Sequence, residues 1–107
     1  EKREEWVKKT FKESLNIIVK KYNGLTIDFA KKENANFIFR GLRSSLDFEY
    51  EKQIADVNYI MNSKIQTVFL LADKKYGMIS SSIVREIIKN NGDASKLLPK
   101  SVDILNQ

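Results

Sequence analysis

The stretch Thr67-Val68-Phe69-Leu70-Leu71 is the most decisive in the chain. Its continuous apolar run reads as a strand whose two faces are both covered, the pattern of a parallel sheet rather than of a half-solvated one. Upstream lies a long helix from about Leu46 to Met61, with Tyr50, Ile54, Val57 and Met61 at i, i+4, i+7 and i+11, a spacing that predicts one core-facing stripe. Before it, Asn36-Phe37-Ile38-Phe39 reads as a second strand broken by Gly41. Further out, Leu25, Ile27, Phe29 and Ala30 mark a short helix ending in Lys31-Lys32-Glu33, after a turn at Asn23-Gly24. Ile17-Ile18-Val19 reads as a third strand. Trp6, Val7, Phe11 and Leu15 predict an opening helix. Downstream of the loop from Ala72 to Ile79, Ile83, Val84, Ile87 and Ile88 mark an amphipathic helix stopped by Gly92, and Pro99 with Ser101 introduce a final short helix.

Strands alternating with helices predict an α/β fold, a parallel sheet with helices on both faces, in a single domain over residues 1–107. In such sheets ligands sit at the carboxyl ends of strands. Two loops are thereby selected before any motif is considered: Arg40 to Asp47 and Ala72 to Ser82.

Composition narrows the chemistry. The 107 residues contain no Cys and no His, which excludes a disulfide scaffold, thiolate chemistry, and any His-based acid–base or metal site built from these residues alone. The absence of Cys fits a reducing compartment, and a cytoplasmic location is the expectation. No apolar run approaches the ~20 residues of a membrane span, and no signal peptide is recognisable. With 19 basic and 14 acidic residues, the net charge of +5 favours polyanionic ligands. The basic residues come in scattered pairs such as Lys8-Lys9, Lys20-Lys21, Lys31-Lys32 and Lys74-Lys75, without the aromatic–basic stripe of a nucleic-acid binder. Neither nucleic acid nor membrane is expected as a partner.

Three constellations carry candidate chemistry. In Arg40-Gly41-Leu42-Arg43, two guanidinium groups flank a glycine that lets the backbone turn and approach a ligand. Phosphate recognition and a turn with solvated arginines are both open. Ile79-Ser80-Ser81-Ser82 opens a helix, where free N–H groups and hydroxyls form an anion site, although one serine is accounted for by capping. Asp47, Glu49 and Glu51 sit at the start of the long helix, where carboxylates complement its dipole. Asp47 and Glu51, four apart, share one face, from which they could accept hydrogen bonds from a nucleotide or orient the two arginines. Met61 and Met78 read as packing residues.

Phe39-Arg40-Gly41-Leu42-Arg43, Asp47-Phe48-Glu49-Tyr50-Glu51, Thr67-Val68-Phe69-Leu70, Ile79-Ser80-Ser81-Ser82 and Gly92-Asp93 with Pro99 together resemble the bacterial phosphopantetheine adenylyltransferase family. The resemblance covers nearly the whole chain. It implies a Rossmann-like nucleotidyltransferase fold whose first strands are not among these residues, a homo-hexamer, and Mg²⁺ accompanying ATP. The implied reaction transfers the adenylyl group of ATP to 4′-phosphopantetheine, giving dephospho-coenzyme A and pyrophosphate in coenzyme A biosynthesis. By resemblance, Thr26 and Arg40 line the substrate site, while Gly41, Leu42, Arg43, Glu51, Tyr76, Gly77, Met78, Ile79, Ser80, Ser81 and Ser82 line the ATP site. These ligands are expected in one cleft between the Arg40–Arg43 loop and the serine helix start.

The family's T-x-G-H motif, which carries a transition-state histidine, has no counterpart in the 107 residues, and no catalytic residue is assigned within them. Helix signals that begin at Glu1 without a cap or an initiator Met suggest an upstream segment. The expectation is therefore the C-terminal two thirds of the enzyme, inactive by itself. The alternative is a non-catalytic nucleotide- or coenzyme A-binding module, or an inactive remnant. Ala72, where the family often has proline, and Thr26, bulkier in some members, depart from the family pattern.

Overall fold

The computed structural model describes residues 2–102, which divide into two compact units, Tyr22–Met78 and the remainder formed by residues 2–21 with 79–102. The Tyr22–Met78 unit is a βαβ unit preceded by a helix. Gly24 takes φ +94°, a conformation that costs glycine nothing, and turns the chain into α1 (Thr26–Lys32). That helix stops at Asn34, whose φ of 56° places it in the left-handed region. Its N–H donates to the Lys31 carbonyl at 3.1 Å and the Ala35 N–H to the Ala30 carbonyl at 2.9 Å, the two reverse hydrogen bonds of a Schellman cap.

Strand β1 (Phe37–Leu42) and strand β2 (Gln66–Leu71) pair in parallel from Phe37↔Gln66 to Leu42↔Leu71, joined by α2 (Ser45–Met61). The Gln66 N–H donates to the Asn36 carbonyl and the Ala72 N–H to the Leu42 carbonyl, extending the ladder at both ends. Ile38, Arg40, Thr67 and Phe69 share one face by alternation. On that face Ile38 packs against a small core of Ile27, Ala30 and Ile65, with Ala35 beside it. Phe69 meets Phe48 of α2 edge to face, with ring centroids 5.6 Å apart. On the opposite face Phe37, Phe39 and Leu70 remain exposed.

Three expectations within this unit change. Gly41 does not break β1; the strand runs through it to Leu42, and only Gly24 among the glycines has positive φ. Neither φ nor crowding requires a glycine there, since a Cβ would meet no atom within 4 Å. The α2 stripe is not buried as a whole: Tyr50 is 68% and Val57 55% exposed, and of the stripe only Ile54 joins Glu51, Ala55 and Asn58 on the face that lines the cavity. The sheet of the described residues holds two strands rather than three.

The second unit carries α3 (Lys2–Thr10), at the start of the chain, α4 (Ser81–Lys89) and a 3₁₀ turn at Ser95–Leu97. Helix α3 is shorter than the apolar spacing predicted. The Thr10 hydroxyl donates back to the Trp6 carbonyl at 2.8 Å, and turns follow from Phe11, so Leu15 is left exposed. Ile17-Ile18-Val19 forms no strand: a β-branched run becomes a strand only where an edge pairs with it, and Ile18 is 79% exposed. Helix α4 buries Val84. At its end Asn91, not Gly92, takes the left-handed position with φ 59°, and the Gly92 N–H donates to the Ile87 carbonyl at 2.8 Å. Glycine is still required at 92, where a Cβ would lie 2.8 Å from the Ile87 side chain. The helix expected from Pro99 and Ser101 lies for its greater part outside the described residues.

Candidate functional site

Alternation along β1 sends Arg40 to the face on which α2 lies, and the 3.6-residue period of α2 returns Glu51, Ala55 and Asn58 to that face. The result is a cavity of about 100 Å³ lined by Thr26, Ile38, Arg40, Glu51, Ile54, Ala55, Asn58 and Thr67. Its walls are apolar at Ile38, Ile54 and Ala55, and the polar groups converge from four elements.

The strongest interaction in it is a bidentate ion pair. Arg40 donates from Nε to Glu51 Oε2 at 3.0 Å and from Nη2 to Oε1 at 2.7 Å. The fork matches the carboxylate plane, the arrangement that makes arginine the preferred partner of planar anions. Glu51 is only 14% exposed on its side chain and Arg40 50%, so the carboxylate is covered while the guanidinium reaches the opening. The Arg40 hydrogen bond holds the Glu51 carboxyl below its ordinary value, against the opposing effect of burial and the weaker repulsion of Asp47. The same hydrogen bond raises the Arg40 guanidinium above its ordinary value. At the far wall the Thr26 hydroxyl shares a hydrogen bond of 2.7 Å with the Tyr22 hydroxyl, and Tyr22 stacks on Phe29 with ring centroids 4.3 Å apart.

Arg43 occupies the turn from β1 into α2. Its main-chain N–H donates to Asp47 Oδ2 at 3.0 Å and its Nε donates to the same oxygen at 3.3 Å. Ser44 caps α2 by accepting from the Asp47 N–H at 3.3 Å. Asp47 and Glu51 each hold one of the two arginines. Leu42 is 3% exposed, so it presents main chain rather than side chain to any ligand.

Because the strands are parallel and in register, the turn after Leu42 and the loop after Leu71 leave the same end of the sheet. In that second loop Asp73 organises a turn, its Oδ1 accepting from the Lys75 N–H and its carbonyl from the Tyr76 and Gly77 N–H groups. Tyr76 and Met78 are exposed there. Ile79, Ser80, Ser81 and Ser82 belong to the other unit. Ser80 is the N-cap of α4, its Oγ accepting from the Ile83 N–H at 3.2 Å, and Ser82 Oγ accepts from Arg85 Nη2 at 3.5 Å.

The structure thus brings Thr26, Arg40 and Glu51 into one cavity. Glu51, expected among the nucleotide contacts, lies with the two residues expected at the substrate phosphate. Asn58 and Thr67 are cavity residues that the sequence reading passed over. Both had a legible signal, Asn58 at i+7 from Glu51 and Thr67 at the head of the decisive strand.

Comparison with known proteins agrees with this architecture. The model of the cytidylyltransferase-like family matches residues 1–87. A phosphopantetheine adenylyltransferase of Flavobacterium psychrophilum is 50% identical over 104 residues, covering 97% of this chain and 68% of the relative. The enzyme of the same name from Flavobacterium johnsoniae is 47% identical with the same coverage of both chains. That of Prochlorococcus marinus is 49% identical over 88 residues, 82% of this chain and 55% of the relative. Near-complete coverage at about half identity, on a parallel α/β sheet with Arg40 to Arg43 at the carboxyl end of its first strand, leaves one assignment: the chain belongs to the phosphopantetheine adenylyltransferase family, within the cytidylyltransferase-like Rossmann-type fold.

Proposed function

We propose that this chain serves adenylyl transfer from ATP to 4′-phosphopantetheine in coenzyme A biosynthesis. The observation that carries the reading is 50% identity over 97% of the chain to an enzyme of that name. A phosphate oxygen of 4′-phosphopantetheine attacks the α-phosphorus of ATP. The new P–O bond forms as the bond from the α-phosphorus to the bridging oxygen breaks, and that electron pair leaves with pyrophosphate. Catalysis of this kind is positioning and charge stabilisation. Arg40, aimed by Glu51 before substrate arrives, is the proposed holder of the 4′-phosphate, with Thr26 beside it. Arg43 is the proposed partner of the triphosphate, joined by main chain at Gly41 and Leu42. Tyr76, Gly77, Met78, Ile79, Ser80, Ser81 and Ser82 are proposed nucleotide contacts on the strength of the family likeness.

Mg²⁺ enters this proposal with ATP, bound through phosphate oxygens. Among the described residues no group of three His, Cys, Asp or Glu side chains is placed to hold an ion. No helix among the described residues is long and apolar enough to cross a membrane. A homo-hexamer in the cytoplasm completes the reading, and light scattering on the full-length protein tests the assembly.

The test of function is pyrophosphate release with ATP and 4′-phosphopantetheine. A full-length protein carrying this chain together with the T-x-G-H motif is expected to turn over, and failure to form dephospho-coenzyme A overturns the reading. Residues 1–107 assayed by themselves are expected to give no measurable transfer, because they contain no histidine to stabilise the α-phosphate as pyrophosphate leaves. Turnover by these residues at the rate of the full-length protein would show the histidine motif to be dispensable.

A further inference from the structure

Asp47 stands outside the cavity and outside the residues proposed above to touch a ligand, yet one of its oxygens makes an unusual pair of contacts. Asp47 Oδ2 accepts both the main-chain N–H of Arg43, at 3.0 Å, and the Nε of the same residue, at 3.3 Å. A single carboxylate oxygen therefore ties the Arg43 side chain back toward its own backbone. Only the rotamers that return Nε to that oxygen satisfy both contacts, which removes much of the freedom of a long, flexible side chain. The carboxylate is itself anchored, since the Asp47 N–H donates to the cap Ser44 Oγ at 3.3 Å. Asp47 takes one guanidinium donor, Nε, whereas Glu51 takes two from Arg40.

We propose that Asp47 is a positioning residue for the triphosphate of ATP, acting through Arg43 by setting the direction of its guanidinium. The proposal rests on the assignment of Arg43 to the nucleotide made above. It separates the two carboxylates of α2 by substrate: Asp47 acts on the nucleotide arginine, and Glu51 on the arginine of the 4′-phosphate.

The experiment measures KM for each substrate, kcat and thermal stability for D47A, D47N, R43A and R43A/D47A in the full-length protein. D47A is expected to raise KM for ATP about tenfold while KM for 4′-phosphopantetheine stays within about twofold. D47N, which keeps an acceptor for the Arg43 N–H but loses the charge, is expected to fall between D47A and wild type. R43A/D47A is expected to be no worse than R43A alone, because an aspartate that acts only through Arg43 has nothing left to aim. Equal changes in both KM values, additive effects in the double variant, or a lowered melting temperature with unchanged kinetic constants would each overturn the proposal. Should D47A fail to fold, D47N carries the same comparison. If R43A itself retains wild-type kinetics, the nucleotide assignment of Arg43 falls, and the role of Asp47 falls with it.

Discussion

Arg40, near the end of β1, and Arg43, in the turn that follows it, stand three residues apart and are held in different ways. Arg40 engages both oxygens of a covered Glu51, while Arg43 engages one oxygen of Asp47 and shares it with its own backbone N–H. The first arrangement fixes a guanidinium in plane and direction inside a cavity wall. The second ties the guanidinium through Nε to an oxygen that its own backbone N–H also uses, with the Arg43 side chain about as exposed as that of Arg40. Two cations of one motif are thereby held in two ways, a distinction set by what stands opposite them, not by the residue type.

The largest expected effect tests the Arg43 side of this contrast. Arg43→Ala is expected to cost about 2–4 kcal/mol of transition-state stabilisation, read as kcat/KM, and Arg43→Lys to recover only part of it. Kinetics within threefold of wild type for the alanine variant would remove Arg43 from the reaction. On the other side, Glu51→Ala strands Arg40 without its fork partner. It is expected to raise KM for 4′-phosphopantetheine about tenfold and to lower stability by about 1–2 kcal/mol, measured by denaturant unfolding. An effect confined to KM for ATP would reverse the assignment of the two arginines.

The pH dependence follows from the same pair. Glu51 is held below its ordinary value of 4.5, so its unfolded form binds protons more readily. The stabilisation is therefore complete above 4.5 and is lost as the pH falls through the lower folded value. The stability gap between wild type and Glu51→Gln is expected to be constant near neutrality and to close in acid, as thermal melts across that range would reveal. A gap that widened in acid would contradict the sign. The smallest effect is the control on the same helix. Lys52 meets Asp56 at 2.7 Å, but both side chains are more than half exposed, and Lys52→Ala is expected to change stability by less than about 0.5 kcal/mol. A loss as large as that of Glu51→Ala would mean that coverage by the sheet does not distinguish the two pairs.

Local signals were the legible ones. The turn at Gly24, the span of α2, the strand at Thr67–Leu71 and the serine cap of α4 follow from residue type and spacing over one or two turns of chain. The failures are equally instructive. Ile17-Ile18-Val19 has the composition of a strand but finds no edge among the described residues, and a strand without a partner is only extended chain. Gly41 looked like a strand breaker, yet a residue with no Cβ is tolerated in a ladder wherever neighbouring hydrogen bonds hold the backbone. Gly92 has the residue type of a helix stop, but Asn91 takes the left-handed position and Gly92 is needed for clearance from Ile87.

By itself the sequence determined the parallel α/β class, the placement of Arg40 and Arg43 at a strand end, and the sharing of one helix face by Asp47 and Glu51. Each of these depends on periodicity, 2 along a strand and 3.6 along a helix, which is a property of the local backbone. Only the tertiary structure decided which carboxylate takes which arginine. Arg40 and Glu51 are eleven positions apart, and their meeting depends on α2 crossing the sheet at the height of Arg40. The same crossing joins Asn58 and Thr67 to Thr26 around one cavity and leaves Tyr50 and Val57 outside it. A helix presents all its faces in sequence, and packing alone selects the one that is used.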